Sequence, residues 1–163
     1  MKQLVLMRHA KAEKNAPSGE DFDRPLSPVG RREATTVAKA LEAHSIRPDF
    51  AIVSAALRTH QTFEQVEAVF GPIPSVVDKA FYNADAGTLR RLVEAHEDHG
   101  LCVLVINHNP GIQMLSVDYM IESAASLSAI DRVRNGFETA TAAFFDVDVA
   151  GRPIYEGLYT ADR

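Results

Sequence analysis

Apolar positions along this chain change their period several times, and each change marks a new element. Leu4 to Met7 is a short continuous apolar run, the pattern of a strand buried on both faces. Ser27-Pro28 then offers a helix cap followed by a proline at the first helical position. Ala34, Val37, Ala38 and Leu41 recur at helical spacing behind it, so a helix is expected to about His44. Ala51-Ile52-Val53 predicts a second strand. A helix from about Leu57 to Phe70 should follow, with Phe63, Val66 and Phe70 on its buried face and Gly71-Pro72 as its stop. Ser75-Val76-Val77 reads as a shorter strand, and Leu89, Leu92 and Val93 as the stripe of a further helix.

The second half continues the alternation. Leu101 to Ile106 is apolar on both faces, as an interior parallel strand should be. Asn109-Pro110-Gly111 predicts a helix start, with Asn109 as cap and Pro110 at the first position. Thr139 to Val147 and Pro153 to Tyr159 flank Asp148-Val149-Ala150-Gly151-Arg152 and read as an antiparallel hairpin closing one side of the sheet. Residues 123–137 are assigned to no element. Strands alternating with helices predict an α/β fold with a mostly parallel central sheet. The length of 163 residues fits one domain over residues 1–163. A chain of this size buries roughly 68–70% of the surface its unfolded form exposes, enough to hold together without disulfide or metal.

Composition narrows the partners. A formal net charge of −5 argues against general affinity for nucleic acid or an anionic membrane, so any anion site must be local. Cys102, the only cysteine, sits inside the Leu101–Ile106 run and is expected to be a small buried hydrophobe. The apolar stretch near the N-terminus is too short for a signal-peptide core, and no run is long enough to span a bilayer. A cytoplasmic location is the expectation.

Candidate chemistry gathers where open α/β sheets bind ligands, beyond the carboxyl ends of the strands. Arg8 and His9 follow the first strand, Arg58 lies in the first turn after the second, and His108 directly follows the strand ending at Ile106. Two guanidinium groups and two imidazoles in one crevice are an unfavourable cluster unless an anion sits among them. Phosphate suits, because the planar fork of arginine matches its oxygens. The polar stretch from Lys11 to Ser27 is long for an idle connection. It carries Arg24, either an exposed structural arginine or a group folded over the phosphate, and Lys11, expected to be solvated. His96-Glu97-Asp98-His99 clusters ligand-type residues but fits no zinc spacing and reads as a polar helix end before Gly100. His44 and His60 are expected at the surface.

The residues at these junctions resemble three motifs of the histidine phosphatase superfamily, also called phosphoglycerate-mutase-like. Leu6-Met7-Arg8-His9-Ala10-Lys11 resembles its Arg-His-Gly signature, Ser54-Ala55-Ala56-Leu57-Arg58-Thr59-His60-Gln61-Thr62 its second motif, and Asn107-His108-Asn109-Pro110-Gly111 its third. Within the superfamily the chain is most similar to the small SixA-type phosphohistidine phosphatases, which share segments like Arg24-Pro25-Leu26. The resemblance implies a three-layer α/β/α sandwich and a phosphatase in which His9 takes up the phosphoryl group. Arg8, Arg58 and His108 would bind its oxygens as catalytic and substrate-binding groups, with Arg24 a further binding candidate. No metal and no cofactor is implied. Positive neighbours would keep the His9 imidazole neutral and nucleophilic.

Three positions depart from the wider superfamily. Ala10 replaces a glycine that lets backbone approach phosphate, and Asn107 stands where a glycine often precedes the histidine. Larger members supply a carboxylic acid after the third strand, where this chain has Asp85 as the nearby candidate. Imidazole, with a conjugate acid near pKa 6.5, departs far more easily than an alkoxide, so a phosphohistidine-bearing protein is the expected substrate. A phosphoryl-transferring mutase, a small-molecule phosphatase, and a non-catalytic module that grips phosphate or a phosphopeptide remain the alternatives.

Overall fold

Side chains alternate across the first strand, and the two sets head two separate cores. In the computed structural model, which describes residues 1–161, β1 (Gln3–Arg8) sends Val5 and Met7 to one face and Leu4 and Leu6 to the other. All four are fully buried. Such a strand can only be interior, because water on either face would forfeit roughly 25 cal/mol for each Å² of apolar surface left exposed.

The remaining elements follow the predicted alternation. They are α1 (Pro28–Ala43), β2 (Phe50–Ser54), α2 (Leu57–Phe70), β3 (Ser75–Asp78), α3 (Ala86–Ala95), β4 (Cys102–Asn107), α4 (Gly111–Glu122), α5 (Leu127–Asn135), β5 (Ala142–Val147) and β6 (Pro153–Tyr159). Six strands form one mixed sheet in the order β3-β2-β4-β1-β5-β6. The first four are mutually parallel, while β5 runs antiparallel to β1 and β6 to β5, which is the predicted hairpin. Helices α1 and α2 cover the face carrying Val5 and Met7. Helices α3, α4 and α5 cover the face carrying Leu4 and Leu6, giving a three-layer α/β/α sandwich.

Topology fixes where a ligand can sit. Strands β1 and β4 pair in parallel, with Arg8 opposite Asn107 at their carboxyl ends. The chain leaves β1 toward α1 on one face and leaves β4 toward α4 on the other. That divergence is a topological switch point, and it opens a crevice between the two connections.

Two local expectations are corrected. Helix α4 begins at Gly111, one residue later than predicted, with Pro110 at the cap and no side chain capping it. Asn109 does not cap; its Nδ2 donates to the Phe137 carbonyl at 2.9 Å and ties the start of α4 to the chain entering β5. The unread stretch contains α5, whose cap is Ser126, accepting from the Ala129 N–H. Only Ile130 and Val133 of this short helix are buried, and Leu127 is 79% exposed, so few core-facing residues mark it.

Candidate active site

His9 is the first residue beyond β1, and its backbone is held from two sides. Its N–H donates to the Asn107 carbonyl at 3.1 Å, and its own carbonyl accepts from Ala140 N–H at 3.0 Å. The ring is then fixed by a contact within its own peptide neighbourhood, where Nδ1 lies 2.7 Å from the Ala10 carbonyl oxygen. A carbonyl only accepts, so Nδ1 carries the hydrogen. In the neutral ring, Nε2 therefore holds the free lone pair. Ala10 N–H is taken by Thr62 Oγ1 at 3.0 Å, and that hydroxyl in turn donates to the Arg58 carbonyl. The alanine in place of glycine is thus fully buried and tied to α2.

His108 arrives from β4. Its ring centroid is 5.2 Å from that of His9, with the planes tilted by 56°. Nε2 is hydrogen-bonded to Ser54 Oγ, at the end of β2, at 2.9 Å. Nδ1 is buried with no hydrogen-bond partner among the described residues. Asn107 does not disturb this junction. Its Oδ1 accepts from His108 N–H at 2.8 Å and its Nδ2 donates to the Phe81 carbonyl at 3.1 Å, so the amide links β4 to the segment after β3.

Burial governs the charge of both rings. His9 is pulled down from the usual 6.5 to about 3, first by loss of hydration and then by His108, Arg58 and Arg8, against the pull of the Ala10 carbonyl. His108 is lowered to about 4 by burial and by Arg58 and Arg8, against Asp21. Both imidazoles are therefore neutral at physiological pH.

Arg58 lies in the first turn of α2, where the positive end of the helix adds to its own charge, and it is almost wholly buried. Its Nη1 and Nη2 donate to the Asp21 backbone carbonyl at 2.8 Å and the Asp21 carboxylate at 3.0 Å. Arg8 reaches toward α5, with Nη1 donating to the Phe137 carbonyl at 3.0 Å. Arg24 commits Nε to the Glu13 carbonyl and Nη1 to Asp21 Oδ1, so it meets Arg58 only through Asp21. Lys11 is exposed, as expected, and its carbonyl anchors the long connection by accepting from the Ser27 N–H and hydroxyl.

A cavity of about 320 Å³ opens beside Arg58 and His108, lined also by Asp21, Tyr82, Asp85 and Met114 among others, whereas Arg8, His9 and Arg24 are not among its lining residues. Asp85 caps α3, accepting from Thr88 N–H at 2.8 Å, and this hydrogen bond holds its carboxyl below the usual range. Asp21 and Tyr82 had no place in the sequence reading. The hydroxyl of Tyr82 donates to Asp21 Oδ2, and its ring meets His108 edge-on at 5.2 Å.

Away from the crevice, the rings of His96 and His99 pack against Phe50, and no group of three His, Cys, Asp or Glu side chains is placed to hold a metal among the described residues. Cys102 is buried, and loss of hydration pushes its thiol up to about 12. No helix among the described residues is long and apolar enough to cross a membrane.

Two neutral imidazoles and a buried guanidinium at the switch point of a wound sheet make a site suited to a tetrahedral oxyanion. The chain belongs to the histidine phosphatase superfamily (branch 1), whose family model matches residues 4–142. It is 32% identical over 112 residues to the phosphohistidine phosphatase SixA of Escherichia coli K12, covering 66% of this chain and 68% of that one. An uncharacterized protein of Mycobacterium tuberculosis is 30% identical over 135 residues, 82% of each chain. The fold superposes on a protein from Agrobacterium tumefaciens provisionally named phosphohistidine phosphatase SixA, with a TM-score of 0.84, 28% identity and coverage of 98% and 97%. These likenesses support phosphatase activity.

Proposed function

We propose that residues 1–163 form one histidine phosphatase domain that removes phosphoryl groups from nitrogen, above all from phosphohistidine on a protein. The observation that carries the reading is the His9 Nδ1 to Ala10 carbonyl contact of 2.7 Å, which leaves Nε2 as a neutral, aimed nucleophile. In the first step the Nε2 lone pair attacks phosphorus and the bond from phosphorus to the substrate's ring nitrogen breaks. The departing imidazole keeps that electron pair and takes a proton from solvent. Water then attacks phosphorus, the bond to Nε2 breaks, and inorganic phosphate leaves.

Arg8, Arg58 and His108 bind the phosphoryl oxygens, and their contacts tighten as charge spreads over those oxygens in the transition state. These groups supply the positive charge and hydrogen bonds that phosphoryl transfer needs, so the reaction runs without a metal. Preference for a nitrogen-bound phosphoryl group follows from the cavity's carboxyl groups. Asp21 and Asp85 are both held below the ordinary carboxylate range, so neither carries a proton at neutral pH to hand to an alkoxide. Imidazole departs without that help.

The test compares two substrates and one variant. Wild type should release phosphate from a phosphohistidine-bearing protein at least 100-fold faster than from a simple alkyl phosphate, an allowance in keeping with loss of general acid catalysis at about 10²–10⁴-fold. His9→Ala should lose turnover of both while still binding phosphate. Equal rates on the two substrates would remove the case for nitrogen-bound phosphate.

A further inference from the structure

Within the long connection after β1, Asp21 is the residue that meets Arg58. Residues Asp21–Asp23 form a short 3-10 turn, pinned from behind by the Ser18 hydroxyl on Asp23 and by Arg24 on Glu13 and Asp21. Asp21 faces Arg58 with two acceptors. Its backbone carbonyl takes Nη1 at 2.8 Å and its Oδ2 takes Nη2 at 3.0 Å. The same Oδ2 accepts the hydroxyl of Tyr82, whose ring has the Arg58 Cζ 5.8 Å from its centroid and stands edge-on to His108.

A guanidinium has five N–H donors in a rigid plane, so fixing two of them fixes the directions of the rest. Asp21 takes one hydrogen from each terminal nitrogen. The Arg58 Nε–H is buried with no partner among the described residues, on a side chain that is only 7% exposed. A buried donor left unmatched is unfavourable, and the side of the fork that includes Nε is thus the side left to an incoming acceptor. Tyr82 keeps its proton, since the Asp21 hydrogen bond raises its phenol, and so it remains a donor that holds the carboxylate in place.

We infer that Asp21, steadied by Tyr82 and Arg24, is the positioning residue of the site: it clamps the end of the Arg58 fork and turns the Nε side toward the phosphoryl oxygens. This rests on the function proposed above. The clamp works against simple attraction, because the Asp21 carboxylate also repels the anion it helps to receive. Removing it should therefore separate ground-state binding from transition-state binding.

Asp21→Ala should bind inorganic phosphate as well as wild type or better, measured as a competitive inhibition constant. Its kcat should fall on the order of 10- to 100-fold, with affinity for orthovanadate, a transition-state mimic, falling in parallel. Asp21→Asn keeps an oxygen acceptor and should lose less than the alanine variant. Tyr82→Phe, which keeps both Asp21 acceptors of Arg58, should fall between wild type and Asp21→Ala, and these two variants carry the test if Asp21→Ala does not fold. A kcat in Asp21→Ala equal to or above that of wild type would make Asp21 a plug that substrate displaces and would overturn the inference. Equal weakening of phosphate and vanadate would overturn it as well. Either result leaves the proposed function standing, whereas a wild-type protein with no turnover sinks that function first.

Discussion

The rings of His9 and His108 lie 5.2 Å apart, carried to one another by adjacent parallel strands whose last residues, Arg8 and Asn107, are in register. Register is what makes the pair possible: a one-residue slip of β1 against β4 would send every side chain of the strand to the opposite face. Held this close and buried, the two rings are both neutral at physiological pH.

Their titration should show it. By NMR, both imidazoles should remain neutral at pH 5.5, with His9 as the Nδ1–H tautomer, since His9 is lowered to about 3 and His108 to about 4. The acid limb of kcat/KM, which reports the free enzyme, should show no inflection near 6.5 from either ring. Titration of His9 near 6.5 would mean that the ring is hydrated and not buried as found.

Stability should follow the same groups with a definite sign. As pH falls below the ordinary histidine value of 6.5, the unfolded chain takes up protons on these two rings while the folded chain refuses them until about 4 and about 3. The unfolded state binds more protons in that window, so stability declines on acidification through it and is fully present above it. Asp21, held low by Tyr82 and Arg24, adds a loss only at more acidic pH. Urea unfolding at pH 7.5, 6.0 and 5.0 should give a falling series, and replacing both histidines by glutamine should flatten it.

Ser54 supports His108 from the neighbouring strand through a 2.9 Å contact with Nε2. Ser54→Ala leaves that nitrogen buried without its partner, so stability should fall by about 1–3 kcal/mol. The ring also loses its aim, and kcat should drop about tenfold, or about 1.4 kcal/mol, with little change in KM. An unchanged kcat would show that His108 is positioned by its backbone alone.

Gly111 lets the segment after β3 lie against the start of α4. A Cβ there would stand 2.3 Å from the Ala84 carbonyl oxygen, far inside contact distance, and the atom it meets is backbone. Gly111→Ala should therefore shift the Tyr82–Asp85 segment and cost roughly 1–3 kcal/mol by denaturant titration, the usual penalty for overpacking. Gly136→Ala, where a Cβ meets nothing within 4 Å, is the control.

Much of this was legible because long-range order here follows from local pattern. Continuous apolar runs marked β1, β2 and β4, and chemistry-bearing residues placed just after them had to share one edge of a parallel sheet. What stayed hidden depends on contacts between distant segments. Asp21 looked like one of many polar residues in a connection, and its meaning comes from Arg58, which reaches it from another helix. Tyr82 likewise becomes informative only beside Asp21 and His108. Asn107, which breaks the glycine pattern, turned out to fasten His108 N–H and the Phe81 carbonyl, a task glycine has no side chain to perform. Asn109 departs from expectation because a capping residue before proline is a strong local signal, whereas the Phe137 carbonyl draws its side chain elsewhere.

His9 is the proposed nucleophile. Wild-type protein quenched in base during turnover of a labelled phosphohistidine donor should carry one acid-labile phosphoryl group, and peptide mass spectrometry should place it on His9. Label on His108 or on any other residue, or turnover with no trapped label while His9→Ala remains active, would contradict it.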